Sequence, residues 1–386
     1  MSQITDLKPH IVFLAAWYPD ERDPMFGLFV HKHAVLMTKE FSVSVLHVTN
    51  YSDKANGMVV YHKDGVSVHQ LNIKTKNRFL RWLYFFVAGL QAYRYICKKE
   101  GQAVLNHVHV LTRMGVLAVW IRFRRRIPYV ITEHWSRYFP NPGTYRNVIR
   151  KWVTRFVCRK ASAMSAVSCG LKDAMIKHRL GVDKQWFIVN NAVNEDVFDL
   201  PTDKPNNVPI RFINVSCFED RSKNLSGLVK CVEMLVIEGL KIECVLVGSG
   251  EDFNEISSLI KSKKLEKQFI MTGQLNEMMV AGQMKKCHFY VQSSHYENVP
   301  VVISEALMCG LPVVATNVGG LNEMIDDSNG YLVEHNSLTE LSSAIRMMTE
   351  NYSAYDRQKI RQAAMHKYSA VAVRQQMLQL YSALIK

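Results

Sequence analysis

A doubly wound α/β architecture, present twice, is the fold class this sequence predicts, and three observations predict it. Short, nearly all-apolar runs alternate with longer amphipathic stretches, a proline-rich stretch interrupts the pattern midway, and 386 residues exceed what one core usually organises. The strand-like runs of the first half are Ile11–Ala15, Val43–Val48, Tyr129–Thr132, Ala163–Val167 and Phe187–Val189. Those of the second half are Ile213–Val215, Ile242–Val247, Phe269–Thr272, Phe289–Gln292 and Val313–Ala315. Strands this apolar are covered on both faces, which means a parallel sheet between helices. Leu225–Glu238, with apolar residues at three- and four-residue steps, reads as one of those helices. Asp199–Pro209 has three prolines and no apolar period, and so reads as a linker. The expected domains are therefore 1–200 and 206–365, with 366–386 a C-terminal helix of the sort that can pack back on the first. The whole stretch Ala354–Ile385 reads as helical.

With 48% hydrophobic and 21% charged residues the chain can bury large cores, which excludes a disordered or collagen-like protein. Its net charge of +14 is unevenly shared. Of 48 basic and 34 acidic residues, 30 and 15 precede Asn206, leaving 18 and 19 after it. A basic half joined to a neutral one implies that the first half alone meets a polyanion, either nucleic acid or an anionic membrane surface. Eight cysteines without a Cys-x-x-Cys pair argue against a zinc ribbon or disulfide scaffold and fit a reducing compartment. Ile11–Tyr18 reads as a first strand rather than a signal peptide, and Trp82–Leu90 is too short for a membrane span. A cytoplasmic protein, peripheral to the inner face of the membrane, is the expectation.

The densest information lies in Gln292–Gly320. Tyr290–Gln292 ends a buried strand, Ser293–Asn298 is the loop after it, and Asn298 suits a helix N-cap. Pro300 falls in the first turn, Val301–Cys309 is the helix, Gly310 its left-handed end, and Pro312 opens the next strand. The N-terminus of such a helix faces the crevice where parallel sheets bind ligands. Glu297 stands at that mouth. Glu305, eight residues on, must face solvent or a polar ligand, because an unpaired buried carboxylate is too costly.

Glu297-x₇-Glu305 with Ala306, Gly310-Leu-Pro312-Val-Val-Ala-Thr and Gly319-Gly320 resembles the signature of the retaining glycosyltransferases of family 4. The resemblance implies the GT-B fold, two Rossmann-like domains facing each other across a cleft. It further implies that Glu297 and Asn298 orient the sugar, with Val299, Pro300 and Val301 beside the donor and Glu305 on the nucleoside ribose. Val245-Leu-Val-Gly248-Ser-Gly250-Glu251 reads as strand, glycine turn and helix, and resembles the family's nucleotide loop; many αβ turns carry such glycines for packing alone. Phe269–Leu275, with Gly273 and Leu275, resembles the loop facing the nucleotide base, though an ordinary strand end reads the same way. Ser216–Asn224 holds the place of the family's Arg/Lys pair on the leaving diphosphate. Lys223 matches the lysine, the expected arginine aligns with Cys217, and Arg221 in the longer loop can supply the second charge.

In the first half, Tyr18-Pro19 through Phe26-Gly27 to His31 resembles the family's first glycine-bearing loop, which puts Gly27 on the donor side and Tyr18 with the acceptor. Asn106-His107-Val108-His109 ends a strand and resembles the family's His-x-His segment, with His109 toward the acceptor. Tyr129-Val-Ile-Thr-Glu133-His134 resembles the strand at whose end family members place a histidine, which implies Glu133 with the acceptor and His134 against the transferred sugar. A histidine at a strand end is equally an ordinary polar residue of the sheet rim. Arg122, Arg124, Arg125 and Arg126 cluster near Trp120 and Phe123, while Arg146, Arg150, Lys151, Arg155, Arg159 and Lys160 decorate a helix whose stripe Ile149, Trp152, Val153 and Phe156 is expected in the core.

The expected activity is transfer of a sugar from a nucleotide-diphosphate sugar to a glycan or lipid-linked acceptor in cell-surface polysaccharide or glycolipid assembly. Glu297, His134 and Lys223 are the catalytic candidates. No cofactor is expected, and with neither Asp-x-Asp nor a His/Cys cluster at metal spacing, no metal. Rival readings are a GT-B epimerase or phosphorylase, and a basic nucleic-acid-binding protein. Nucleic acid is not the expected partner, because no helix-turn-helix, zinc-finger or RNA-binding signature is present.

Overall fold

A computed structural model describes residues 8–51, 53–75, 77–140, 143–202, 208–382 and 384–385. They form two compact units, 1–192 with 373–386, and 193–372. The first unit is built on β1 (His10–Ala15), β2 (Ser42–Thr49), β3 (Gly57–Lys63), β4 (Val66–Asn72), β5 (Ala103–His109), β6 (Tyr129–Glu133), β7 (Ala163–Ala166) and β8 (Trp186–Ile188), with α1 (Leu28–Met37), α2 (Arg78–Glu100), α3 (Arg113–Arg125), α4 (Val148–Lys160) and α5 (Cys169–Lys177). Its strand order is β3-β4-β2-β1-β5-β6-β7-β8. Among the described residues only β3 and β4 pair antiparallel, a hairpin at the sheet edge that the apolar-run reading passes over because β3 is half exposed. The order reverses at β1, so the segment after β1 leads into a topological switch point. Gly27, at the start of α1, has φ 71°, and a Cβ there would stand 2.5 Å from the Trp17 carbonyl carbon. Only glycine lets α1 close onto that loop.

The second unit contains β9 (Ile210–Val215), α6 (Asp220–Lys223), α7 (Leu225–Ile237), β10 (Ile242–Val247), α8 (Phe253–Ser262), β11 (Phe269–Gly273), α9 (Glu277–Lys285), β12 (Phe289–Gln292), α10 (Val301–Met308), β13 (Val313–Thr316), β14 (Gly330–Val333), α11 (Leu338–Asn351) and α12 (Arg357–Tyr368). All its strand pairs are parallel, in the order β11-β10-β9-β12-β13-β14. Here the switch point lies between β9 and β12. Phe212, Phe289, Val291 and Val314 meet Leu228, Val232 and Ile345 in its core.

Three boundaries differ from the sequence reading. The division between units falls at Val193, ahead of the proline stretch: Phe198 is fully buried, and Arg361 donates to the carbonyls of Phe198 and Glu195 within the second unit. Residues 203–207 of the expected linker lie outside the described residues. The expected single tail helix is interrupted at Ser369, whose extended backbone ends α12 and whose hydroxyl accepts from Ala372 at the start of α13 (Ala370–Ser382). Val373, Met377, Leu380 and Tyr381 of α13 complete the core of the first unit with Phe13, Val45 and Leu105. At α10, Pro300 rather than Asn298 occupies the N-cap position, with extended φ −69° and ψ 123°. Asn298 sits before a Val-Pro pair, which holds the chain extended until Val301.

The stripe on α4 is also reversed. Ile149 and Trp152 are 75% and 71% exposed, whereas Thr154, Val157 and Cys158 face inward. Among the described residues no helix is long and apolar enough to cross a membrane.

Candidate active site

The second unit assembles a charged network at its switch point. Lys223 closes α6 after β9, and Glu297 follows β12. The Lys223 Nζ donates to Glu297 Oε1 at 2.7 Å, and the same oxygen accepts from Ser294 Oγ at 2.8 Å and Gln292 Nε2 at 3.0 Å. Tyr290 fixes the orientation of Gln292: its hydroxyl donates to Gln292 Oε1 at 2.5 Å, so the amide NH₂ must face Ser294 and Glu297. All three donors converge on Oε1, and among the described residues none reaches Oε2. Burial opposes the charge of Lys223, but attraction to Glu297 and its hydrogen bond outweigh that and raise the amine above its ordinary value.

Backbone contacts hold this network in place. Asn224 takes a left-handed conformation between α6 and α7, and its Nδ2 donates to the Ser293 carbonyl at 3.2 Å. Ser293 Oγ donates in turn to the Lys223 carbonyl at 2.9 Å. Behind Glu297, the Gly320 N–H donates to the Asn298 carbonyl at 2.9 Å, and a Cβ on Gly319 would stand 2.1 Å from the Glu297 carbonyl oxygen. The Gly-Gly pair is therefore what lets the second loop lie directly against the carboxylate loop.

The remaining donor candidates divide by environment. Glu305 is buried on α10, Pro300 at the N-cap of that helix offers no side-chain cap to its first turn, and Val299 is buried. A Cβ on Gly248 or Gly250 would strike the backbone of Ser216 or Phe218, at 1.9 and 2.5 Å, so both glycines serve close packing of the turn against the β9 loop. Gly273 has φ 72° and open space around it, and its carbonyl accepts from the Gly248 N–H at 2.9 Å. Leu275 is half-buried after it, and Arg221 is exposed on α6.

In the first unit, Glu133 is fully buried at the end of β6. Its oxygens accept from the N–H groups of Leu111, His134 and Trp135, each at 2.9 Å, and from the Tyr138 hydroxyl at 3.3 Å. Burial nevertheless raises its carboxyl above the ordinary value. With those bonds made, Glu133 holds the backbone that carries His134. Tyr18 is buried too, its hydroxyl 2.6 Å from His31 Nδ1. His134 stacks on Phe29 at 4.3 Å, and its Nε2 lies 3.3 Å from Nδ1 of His109, which stacks on Phe13 at 4.7 Å.

Sequence reasoning did not foresee His33. It stands on α1, donates through Nε2 to the Asn190 carbonyl at 2.9 Å, and so turns its Nδ1 lone pair inward. One ring nitrogen from each of His33, His109 and His134 lies within 4.8 Å of the others. Burial lowers all three, His33 to about 4, and the neighbouring imidazoles lower His109 and His134 further. Neutral rings at this spacing could hold a transition metal. No spacing along the chain signals the trio, because its members come from α1, β5 and the loop after β6.

Residues 202–367 match the family described as "Glycosyl transferases group 1", and residues 34–191 match "Glycosyl transferase 4-like domain". An uncharacterised glycosyltransferase of Methanocaldococcus jannaschii is 22% identical over 330 residues, covering 84% of this chain and 85% of its own. The N-acetylgalactosamine-N,N'-diacetylbacillosaminyl-diphospho-undecaprenol 4-alpha-N-acetylgalactosaminyltransferase of Campylobacter jejuni is 23% identical over 304 residues, 77% of this chain and 80% of its own. Among solved structures, HepE of Anabaena in complex with UDP superposes with a TM-score of 0.76 at 18% identity, over 97% of this chain and 100% of that one.

Proposed function

Because the chain belongs to the family 4 glycosyltransferases of GT-B fold, and so acts on a nucleotide sugar, we propose that it transfers the sugar with retention to a lipid-linked or surface glycan. The observation that carries this reading is the state of Glu297. Three donors pin one carboxylate oxygen beside Lys223 at a switch point, and the other oxygen is left for a sugar. In this scheme Lys223, with Arg221 and the N-terminus of α10, stabilises the leaving diphosphate, so that charge is met as it develops. Glu297 and Asn298 orient the sugar, Glu305 binds the ribose, and His134 and His109 serve the sugar and acceptor side. The Campylobacter relative's name describes a diphospho-undecaprenol acceptor, which supports a lipid-diphosphate glycan here. The basic first half supports peripheral attachment to an anionic leaflet.

The test is turnover of UDP-, GDP- and ADP-sugars followed by proton NMR, with and without EDTA. Product and donor are expected to share anomeric configuration, and activity to survive EDTA because protein cations meet the diphosphate. Inverted product overturns retention. Activity lost in EDTA and restored by Mg²⁺ or Mn²⁺ overturns the charge scheme.

The two glutamates are expected to fail differently. Glu305→Ala should weaken nucleotide binding about 10- to 100-fold, since a hydrogen bond to a charged group is worth about 1.5–3 kcal/mol. Glu297→Ala should bind nucleotide nearly normally and turn over poorly, its contribution belonging to the transition state. Calorimetry with UDP beside steady-state kinetics separates them; equal loss of affinity at unchanged turnover would refute the assignment.

A further inference from the structure

The outward face of α4 exposes apolar and basic side chains together. At about 3.6 residues per turn, Val148, Trp152, Arg155 and Arg159 share one side of the helix, opposite the buried Thr154, Val157 and Cys158. Val148 is 78% exposed, and Ile149 and Trp152 nearly as much. Trp152 and Phe156 stack with ring centroids 6.2 Å apart, and Val182, 64% exposed, extends the apolar surface past the next helix. Residues 143–160 hold six basic side chains and no acidic one. Between them lies a cavity of about 210 Å³ bordered by Trp152, Phe156, Arg155, Arg159, Arg179 and Asp183, whose carboxylate is already paired with Lys184 at 3.3 Å, so that the three arginines leave the rim positive. The Arg155 Nε donates to the His178 carbonyl at 3.1 Å, which fixes its guanidinium at the cavity edge.

Resting on the peripheral reading above, we propose that this face is the membrane-docking surface of the protein. Val148, Ile149 and Trp152 enter the headgroup layer, and the cavity takes the phosphate of an anionic phospholipid. A helix with cations flanking exposed aliphatic and indole groups is the composition of interfacial helices, whose apolar side seeks the acyl boundary while arginines meet phosphate. A second copy fits poorly, since a twofold contact would set six cations against six. Nucleic acid would satisfy the arginines and leave Val148 and Ile149 without an apolar partner. This assigns the docking role to α4 rather than to the Arg122–Arg126 cluster at the end of α3.

Cosedimentation of the full chain with phosphatidylcholine vesicles, with and without phosphatidylglycerol, tests the proposal. Wild type should bind only the anionic vesicles. Arg155→Ala with Arg159→Ala should weaken that binding on the order of thirty-fold, the loss expected for two cations near the surface. Ile149→Ser with Trp152→Ser should weaken it while leaving the charge intact. Lys98→Ala with Lys99→Ala, which removes the same charge from the end of α2, should change it little, and circular dichroism should show all three variants folded. If wild type binds and the α4 variants bind as well as it does, or no worse than the Lys98/Lys99 control, this surface is refuted and the peripheral reading stands. Binding to neither vesicle, or equally to both, overturns both.

Discussion

Lys223→Ala is expected to lower kcat by about 10²–10³, the loss seen when one preorganised electrostatic donor is removed from a reacting centre. The size follows from two losses at once. The ammonium that would meet the developing diphosphate charge is gone, and Glu297 keeps only Ser294 and Gln292 as donors, so its carboxylate is less firmly aimed. Some stability should go too, because a largely buried carboxylate loses its counter-charge. Lys223→Arg separates the effects: it keeps a positive charge with different geometry, and should retain more of the fold's stability than of the turnover. Kinetics with thermal melts on both variants is the measurement. Wild-type kcat in a folded Lys223→Ala protein would remove this residue from the chemistry.

The first unit is expected to unfold well before ordinary acid denaturation. Burial is the dominant influence on His10, His31, His33, His47, His69, His107, His109 and His134 and lowers each of them, with His33 and His69 brought to about 4. The unfolded chain binds protons at these rings near pH 6.5, whereas the native unit binds them only at lower pH. Stability is then complete above pH 6.5 and falls as pH drops from there toward 4, because the unfolded state takes up more protons. Each ring that titrates only on unfolding steepens the fall by about 1.4 kcal/mol per pH unit. Calorimetry from pH 7.5 to 4.5 should show the melting temperature of this unit dropping steeply. A flat melting temperature across that range would mean the rings protonate in place.

What could be read from the chain, and what could not, follows from how each signal arises. Strands buried on both faces leave unbroken apolar runs, so Ile242–Val247 and Phe289–Gln292 were legible to the residue. The β3–β4 hairpin was not: an edge strand half in solvent carries Tyr61, His62 and Lys63 among its valines and lacks such a run. On α4 the period announced an amphipathic helix, but periodicity gives two faces and no sign saying which is inside. Here the smaller Thr154, Val157 and Cys158 fill the interior. Glu297 and Lys223 could be named as candidates because the carboxylate motif and the lysine segment are each compact and legible alone. Their junction through Gln292, Ser294 and Tyr290 needed coordinates, as did the histidine trio, whose members are separated by 76 and 25 residues in the chain.

The return of the last helix governs the order in which the protein can be made. Residues 193–372 are one continuous stretch, so everything the second core requires has been synthesised before Val373 is added. The first core instead counts Val373, Met377, Leu380 and Tyr381 among its members, and His107 Nδ1 waits for the Tyr381 hydroxyl, 2.6 Å away in the finished fold. The unit whose first 192 residues precede the other is thus the one whose interior closes last, only after α13 has been made. A nascent chain stalled anywhere before that point carries an open histidine-rich core, and it is this unit, not the second, that a chaperone would have to shield.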